Sequence, residues 1–281
     1  LLKNMILNKD FIIGDGLLRK QNILDDYIKM LCSKIKINKR LKVIIDSGNV
    51  CACLTVPQTL KKLGIEVEEL YCDVDPSFPN HHPDPTVDSN LKDIISKIKE
   101  KDFDLGMAFD GDADRIVVID ENGEIIRSDN LLCLFLPEVI TSTNKKIIFD
   151  VKCSESLERM ITKYGGEPLM WKTGHSLIKD KMKIENAKFA GEMSGHIFFA
   201  DDYYGFDDAL YVGLRLLQIL SNTNDTLSQL TSEIPKYYST PEIRIDCKDD
   251  NEKFKITEKA VHFFTKNYNC ITIDGVRIKF K

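Results

Sequence analysis

The sequence contains no apolar run approaching the roughly 18 residues that a membrane-spanning helix requires. Its first residues, Leu1-Leu-Lys-Asn-Met5, also lack the charged-then-apolar order of a secretory signal. An excess of basic charge is missing as well: 39 Lys and Arg against 44 Asp and Glu leave a formal charge of -5. That balance gives no electrostatic footprint for nucleic acid or for a polyanionic membrane. A cytoplasmic protein with neither kind of partner is expected. The eight cysteines include no Cys-x-x-Cys pair and lie among apolar residues, so they read as buried free thiols, not zinc ligands or disulfides. Cys51-Ala-Cys53, the one close pair, reads as packing. The single tryptophan, Trp171, reads as core and not as a platform for a sugar ring.

What is present alternates between helical and strand periodicity. Apolar positions Ile23, Leu24, Tyr27, Ile28, Leu31 and Ile35 predict a helix over 22–37, followed by a buried strand at 41–45. A helix over 56–63 and a strand at 66–71 complete a β-α-β unit. The four prolines of Asp75-Pro-Ser-Phe-Pro-Asn-His-His-Pro-Asp-Pro85 exclude regular structure there and shape an extended loop. A helix at 89–100 and a strand at 105–109 follow. The second half repeats the pattern with helices at 129–140 and 154–164, strands at 146–150 and 187–190, and a long amphipathic helix over 207–220. From about 236 a third unit begins, with a strand at 242–247, a helix at 252–267 and a hairpin over 271–280. The fold class is therefore α/β: two consecutive similar domains with mixed sheets flanked by helices, plus a partial C-terminal α+β unit. The boundaries fall at 1–124, 125–235 and 236–281. The short last unit and the absence of an initiator methionine carry the expectation of a fragment cut at both ends.

Three carboxylates alternate in Asp110-Gly-Asp112-Ala-Asp114-Arg115, between two apolar strands. A tight turn would aim them at one centre, with Gly111 supplying backbone freedom. Oxygen donors without His or Cys suit Mg²⁺. A calcium loop would place Glu121 at its twelfth position, but Arg115 stands where that loop needs glycine and the flanks are strands. A guanidinium beside such a cation is what a phosphoryl group in transfer requires. A solvated acidic turn is the plain alternative.

Gly191-Glu192-Met-Ser194-Gly-His196 puts a carboxylate, a hydroxyl and an imidazole on alternate residues, a set able to grip vicinal sugar hydroxyls. A satisfied polar turn would read the same way. Lys152, just past a strand end, and His175, in a second basic turn, extend the polar set to where ligands gather in α/β sheets. His81-His82 lacks a third metal ligand and reads as a shaped loop at a domain junction.

In this order, these residues resemble the α-phosphohexomutases, in particular their bacterial phosphomannomutase/phosphoglucomutase branch. The likeness is carried by Phe78–Pro85, Ala108–Arg115, Phe149–Cys153, Met170–Ile178, Gly191–Phe199 and Gly205–Asp208. It implies four domains, of which this chain looks like the second, the third and the start of the fourth. It further implies Asp110, Asp112 and Asp114 as Mg²⁺ ligands, with a phosphoserine completing the shell, and Arg115 beside the transferring phosphoryl group. Glu192 and Ser194 would hold the sugar 3- and 4-hydroxyls, while Lys152, His175 and His196 line the cleft; Arg115, Lys152 and His196 are the implied catalytic residues. The reaction so implied interconverts mannose or glucose 1- and 6-phosphates through a 1,6-bisphosphate. Its partners are hexose phosphates and the flanking domains of the same protein. Neither the phosphoserine loop nor the distal phosphate loop is matched, so Ser128, Ser176 and Ser194 are not assigned as nucleophile and the chain alone is expected to be inactive. Ala113 replaces the glycine more common in the family, a small change if its φ stays negative. A non-catalytic sugar-phosphate or metal-binding module is the alternative; a glycosyltransferase holding a nucleotide sugar is disfavoured by the loop around Glu192.

Overall fold

The computed structural model describes residues 2–237, 243 and 245–279. The first unit opens with helix α1 (Leu2–Leu7), which buries no residue, and helix α2 (Leu24–Lys34), which turns Ile28 and Leu31 inward. Strand β1 (Lys42–Asp46), helix α3 (Val56–Lys62), strand β2 (Glu66–Leu70) and helix α4 (Lys92–Glu100) follow. Strands β3 (Leu105–Phe109), β4 (Ile116–Asp120) and β5 (Ile125–Ile126) complete a sheet of order β2-β1-β3-β4-β5. Strand β1 is parallel to β2 and β3, whereas β4 runs antiparallel to both neighbours.

The second unit contains α5 (Ser128–Val139), β6 (Lys146–Asp150), α6 (Glu155–Lys163), β7 (Glu167–Trp171), α7 (His175–Glu185), β8 (Phe189–Gly191) and β9 (Ile197–Phe199). Its sheet has the order β7-β6-β8-β9, parallel except at β9. Helices α8 (Ala209–Ser221) and α9 (Leu227–Thr231) close it. Beyond it, α10 (Asp250–Thr265) precedes an antiparallel hairpin of β10 (Asn269–Ile271) and β11 (Arg277–Lys279).

Alternation along the central strands distributes side chains to separate cores, as strand geometry requires. Val43 and Ile45 of β1 join Ile147 and Phe149 of β6 in one large core shared by the two units. Ile44 faces the other way, onto Ile94 and Ile98 of α4, and Ile148 faces Ile178 and Met182 of α7. Helix α8 lies within the shared core. Every residue from Ala209 to Leu217 is buried, so the expected amphipathic helix is instead apolar nearly all round, because a sheet covers each side. Its Tyr211 meets Phe199 of β9 edge-on. Its Gly213 admits the other sheet: a Cβ there would stand 2.7 Å from Met107 Sδ.

Several expectations shift. Helix α7 is absent from the sequence reading because only Ile178 and Met182 turn inward on it, too thin a stripe to register as periodic. Helices α1 and α9 and strand β9 are likewise additions, and the first sheet gains β5 as a fifth strand. Residues 243 and 245–247 are not strand, and the rest of the strand expected at 242–247 lies outside the described residues, as does the end of the hairpin at Phe280. All eight cysteines are free, but only Cys133 and Cys153 are buried and Cys51 is exposed, so the buried-thiol expectation fails for six of the eight. Burial pushes the Cys72 thiol up to about 12. Trp171 is half-buried at the margin of a core, with Lys181 Nζ 4.3 Å above its ring.

Candidate active site: two loops from two sheets

In each sheet the turn between the third and fourth strands carries the chemistry. The β3–β4 turn holds Asp110, Asp112 and Asp114, whose carboxylate oxygens come within 4.8 Å of one another. Its backbone is wound around Asp110, which is 1% exposed. Asp110 Oδ1 accepts from the N–H groups of Asp114 (3.1 Å) and Arg115 (3.0 Å), and Oδ2 accepts from Arg115 Nε at 2.7 Å. A carboxylate offers about four acceptor positions, so one remains for a cation. Positive φ falls at Ala113 (+61°) and not at Gly111. The condition of a negative φ at the alanine is therefore not met, and the turn stores strain of about 1 kcal/mol that glycine would not.

Arg115 is held from a second side by Asp84 of the proline-shaped loop, Nη1 to Oδ1 at 3.4 Å. Burial opposes its charge, and the surrounding carboxylates, Asp110 foremost, outweigh that and raise its pKa. That loop spends its histidine on the strand end: His81 Nε2 lies 3.0 Å from Asp46 Oδ2. Its Pro83 packs on Gly48.

The β8–β9 turn carries Glu192, Ser194 and His196. Glu192 is 1% exposed; its carboxylate accepts from the Gly174 N–H at 2.5 Å, and its carbonyl accepts from Ser128 Oγ at 2.6 Å. Ser128 is thus committed to holding the loop. Asp150, at the end of β6, accepts from Met193 N at 3.0 Å and from Thr173 Oγ1 at 3.2 Å. Ser194 is half-buried. Burial raises the Glu192 carboxyl, partly offset by the Gly174 N–H and His196.

The loops are joined edge to edge. Arg115 and His196 form an antiparallel bridge, with Ile116 N donating to Gly195 O at 3.4 Å. Gly195 allows the contact: at φ +106°, its absent Cβ would lie 2.9 Å from Ile116 O. His196 Nδ1 comes 3.5 Å from Asp114 and 3.0 Å from Asp207. Burial lowers its pKa, but Asp207, Asp114 and Glu192 together reverse that and raise it. The Asp114 carboxyl is pushed up to about 6, first by burial and then by Asp110, Asp112 and Asp207, with His196 opposing. A bound cation would relieve both the burial and the crowding of these carboxylates, and three oxygen donors fit a hard one.

His175, the first residue of α7, stacks on His196 with ring centroids 5.4 Å apart and is half-exposed. Lys152 is exposed in the turn after β6, where Arg277 donates to the carbonyls of its neighbours Val151 (2.7 Å) and Cys153 (2.6 Å). The sequence reading overlooked Asp207, which holds Lys179 Nζ at 2.9 Å and faces both histidines. Its neighbour Asp208 caps α8 and accepts from Tyr27 and Tyr203. An aspartate pair directly before an apolar run was the available signal.

Two family models match consecutive stretches: phosphoglucomutase/phosphomannomutase alpha/beta/alpha domain II over residues 25–123, and domain III over 127–238. The chain belongs to the phosphoglucomutase/phosphomannomutase family. It is 46% identical to a phosphomannomutase/phosphoglucomutase of Pseudomonas putida, the match covering 99% of this chain and 60% of that protein. A phosphoglucomutase of Neisseria meningitidis is 43% identical, with coverage of 98% and 61%. A crystal structure of a family member from Burkholderia thailandensis superposes with a TM-score of 0.92 at 42% identity, covering 99% of this chain and 60% of that one. The chain thus spans about 60% of the length of these relatives.

Proposed function

We propose that this chain supplies the metal-binding and sugar-binding centre of a phosphohexomutase interconverting hexose 1-phosphates and hexose 6-phosphates, with mannose and glucose as the sugars. The observation that carries this reading is the clasp between the two loops, which sets three converging carboxylates and Arg115 against Glu192, Ser194 and His196. Relatives named phosphomannomutase/phosphoglucomutase and phosphoglucomutase agree with it.

In this reading Asp110, Asp112 and Asp114 hold Mg²⁺, whose charge offsets that of the transferring phosphoryl group. Arg115, fixed by Asp110 and Asp84, stands beside the same group. Glu192 and Ser194 take the sugar 3- and 4-hydroxyls, while Lys152, His175 and His196 face the reacting oxygen and phosphate. A phosphoserine gives its phosphoryl group to the substrate, the 1,6-bisphosphate reorients, and the other phosphate returns to the serine. As the family resemblance implies, that serine belongs to a domain preceding residues 1–124 and a distal phosphate loop to the domain begun at 236–281, after the sugar-binding domain at 125–235; Ser128 itself is buried and holds Glu192. A cytoplasmic location belongs to the same proposal; among the described residues no helix is long and apolar enough to cross a membrane.

The test is a coupled assay of glucose 1-phosphate conversion with Mg²⁺ and glucose 1,6-bisphosphate. The 281-residue chain should show no turnover, and joining it to the flanking domains should restore it. Turnover by the chain alone overturns the assignment of the nucleophile, and a silent full-length protein favours a non-catalytic sugar-phosphate module.

A further inference from the structure

Between the two loops lies a second donor group of different chemistry. Asp114 Oδ1, His196 Nδ1 and an oxygen of Asp207 gather within 4.8 Å of one another. His196 Nδ1 is 3.5 Å from Asp114 Oδ1 and 3.0 Å from Asp207 Oδ2. The two buried atoms face each other as an ion pair without forming a well-aligned hydrogen bond. The Asp207 side chain is only 6% exposed. Lys179 occupies its Oδ1 at 2.9 Å, which leaves Oδ2 aimed at the histidine. A buried carboxylate and imidazole that face each other without an aligned hydrogen bond are a donor pair that a bound cation can satisfy together.

We propose that Asp114, His196 and Asp207 form a second divalent-cation site, selective for zinc, beside the all-oxygen group and sharing Asp114 with it. Zinc binds imidazole nitrogen and carboxylate oxygen at about 2.0–2.2 Å in tetrahedral sites, so neighbouring donors stand about 3.3–3.5 Å apart. The measured separations of 3.0 and 3.5 Å bracket that edge. Magnesium prefers an oxygen shell and discriminates against the imidazole, whereas the imidazole gives zinc a donor that the all-oxygen group lacks. His175 brings a further nitrogen to 3.6 Å from the same Asp207 oxygen; it or a water completes the tetrahedron. Where the proposed function holds, zinc here takes His196 and Asp114 out of the sugar cleft and inhibits the enzyme. The binding itself does not rest on that reading.

The experiment titrates the metal-free 281-residue chain with Zn²⁺ against a chromophoric chelator, and separately with Mg²⁺ by calorimetry. His196→Gln and the near-isosteric Asp207→Asn should each weaken zinc about 100-fold while moving magnesium by no more than about threefold. Asp112→Asn should do the reverse. Cobalt substitution should give a tetrahedral visible spectrum without a thiolate charge-transfer band, and His196→Gln should abolish it. Circular dichroism confirms that each variant folds. Zinc affinity that follows Asp112→Asn and ignores both other variants overturns the proposal, as does a thiolate band or no zinc binding at micromolar concentration. Loss of the magnesium signal alone, with the zinc pattern intact, counts against the proposed function and leaves this site standing.

Discussion

The two sheets share one wiring and differ in what they hang on it. Both run three parallel strands into an antiparallel fourth, β2-β1-β3-β4 in the first, where β5 then forms the edge, and β7-β6-β8-β9 in the second, where β9 is itself the edge. Both end the central strand in a buried aspartate, Asp46 or Asp150. In the first unit that aspartate fixes His81 of the proline-rich loop, which in turn positions Asp84 against Arg115; in the second, Asp150 holds the β8–β9 turn directly through Met193 N. The third-to-fourth strand turn carries three converging carboxylates in one and a carboxylate, a hydroxyl and an imidazole in the other. One topology thus brings two chemistries into contact, since equivalent turns at the same sheet end can pair with each other.

The sharpest way to break the comparison is to remove the anchor of one turn. Asp110→Ala deletes a proposed ligand and frees Arg115, and should weaken Mg²⁺ about 100-fold or more by calorimetry. Glu192→Gln should leave Mg²⁺ binding nearly unchanged, and a matching loss would show that the turns are not chemically separable. Gly195→Ala attacks the clasp itself, through a +106° φ and a 2.9 Å clash with Ile116 O. It should cost about 2 kcal/mol in urea denaturation.

The pH dependence should differ between the turns. With the Asp114 carboxyl at about 6 in the fold, proton competition should reduce Mg²⁺ affinity about tenfold between pH 7 and pH 5. The linkage sign is that of a raised carboxylate: the folded state binds the extra proton, so metal-free stability declines as pH rises from about 4 through about 6. His196, raised from the ordinary imidazole value of 6.5, adds a further decline at higher pH, above 6.5. Asp114→Asn should flatten both profiles. Tyr27→Phe removes a hydrogen bond from α2 to Asp208 at 2.8 Å and should cost about 1–2 kcal/mol at the junction of the units. The smallest effect belongs to Ala113→Gly, which relieves the +61° φ and should stabilise the chain by about 0.5–1 kcal/mol in the same urea experiment.

Most strands and the longer helices of both units were legible because their signals are local: apolar runs bounded by Gly, Pro and Asp, or helical spacing over ten residues or more. The acidic loop was legible because its carboxylates alternate along one short stretch, Asp110 to Asp114. Helix α7 was not, since its inward stripe is two residues wide, nor was the full burial of α8, which depends on a second sheet covering its far side. Reading Asp207 as a helix flank instead of a site residue follows from the same limit, because nothing near it in sequence reveals the histidines it faces.

By itself, then, the sequence determined the α/β class, the order of elements, and the residue types that can bind a cation and a sugar, all properties of neighbouring residues. Tertiary structure alone decided that Arg115 bridges to His196, that positive φ falls on Ala113, and that Asp207 completes a mixed donor group with Asp114. Those facts arise where helix α8 draws two sheets onto one core, and packing between residues some 80 positions apart leaves no periodic trace along the chain.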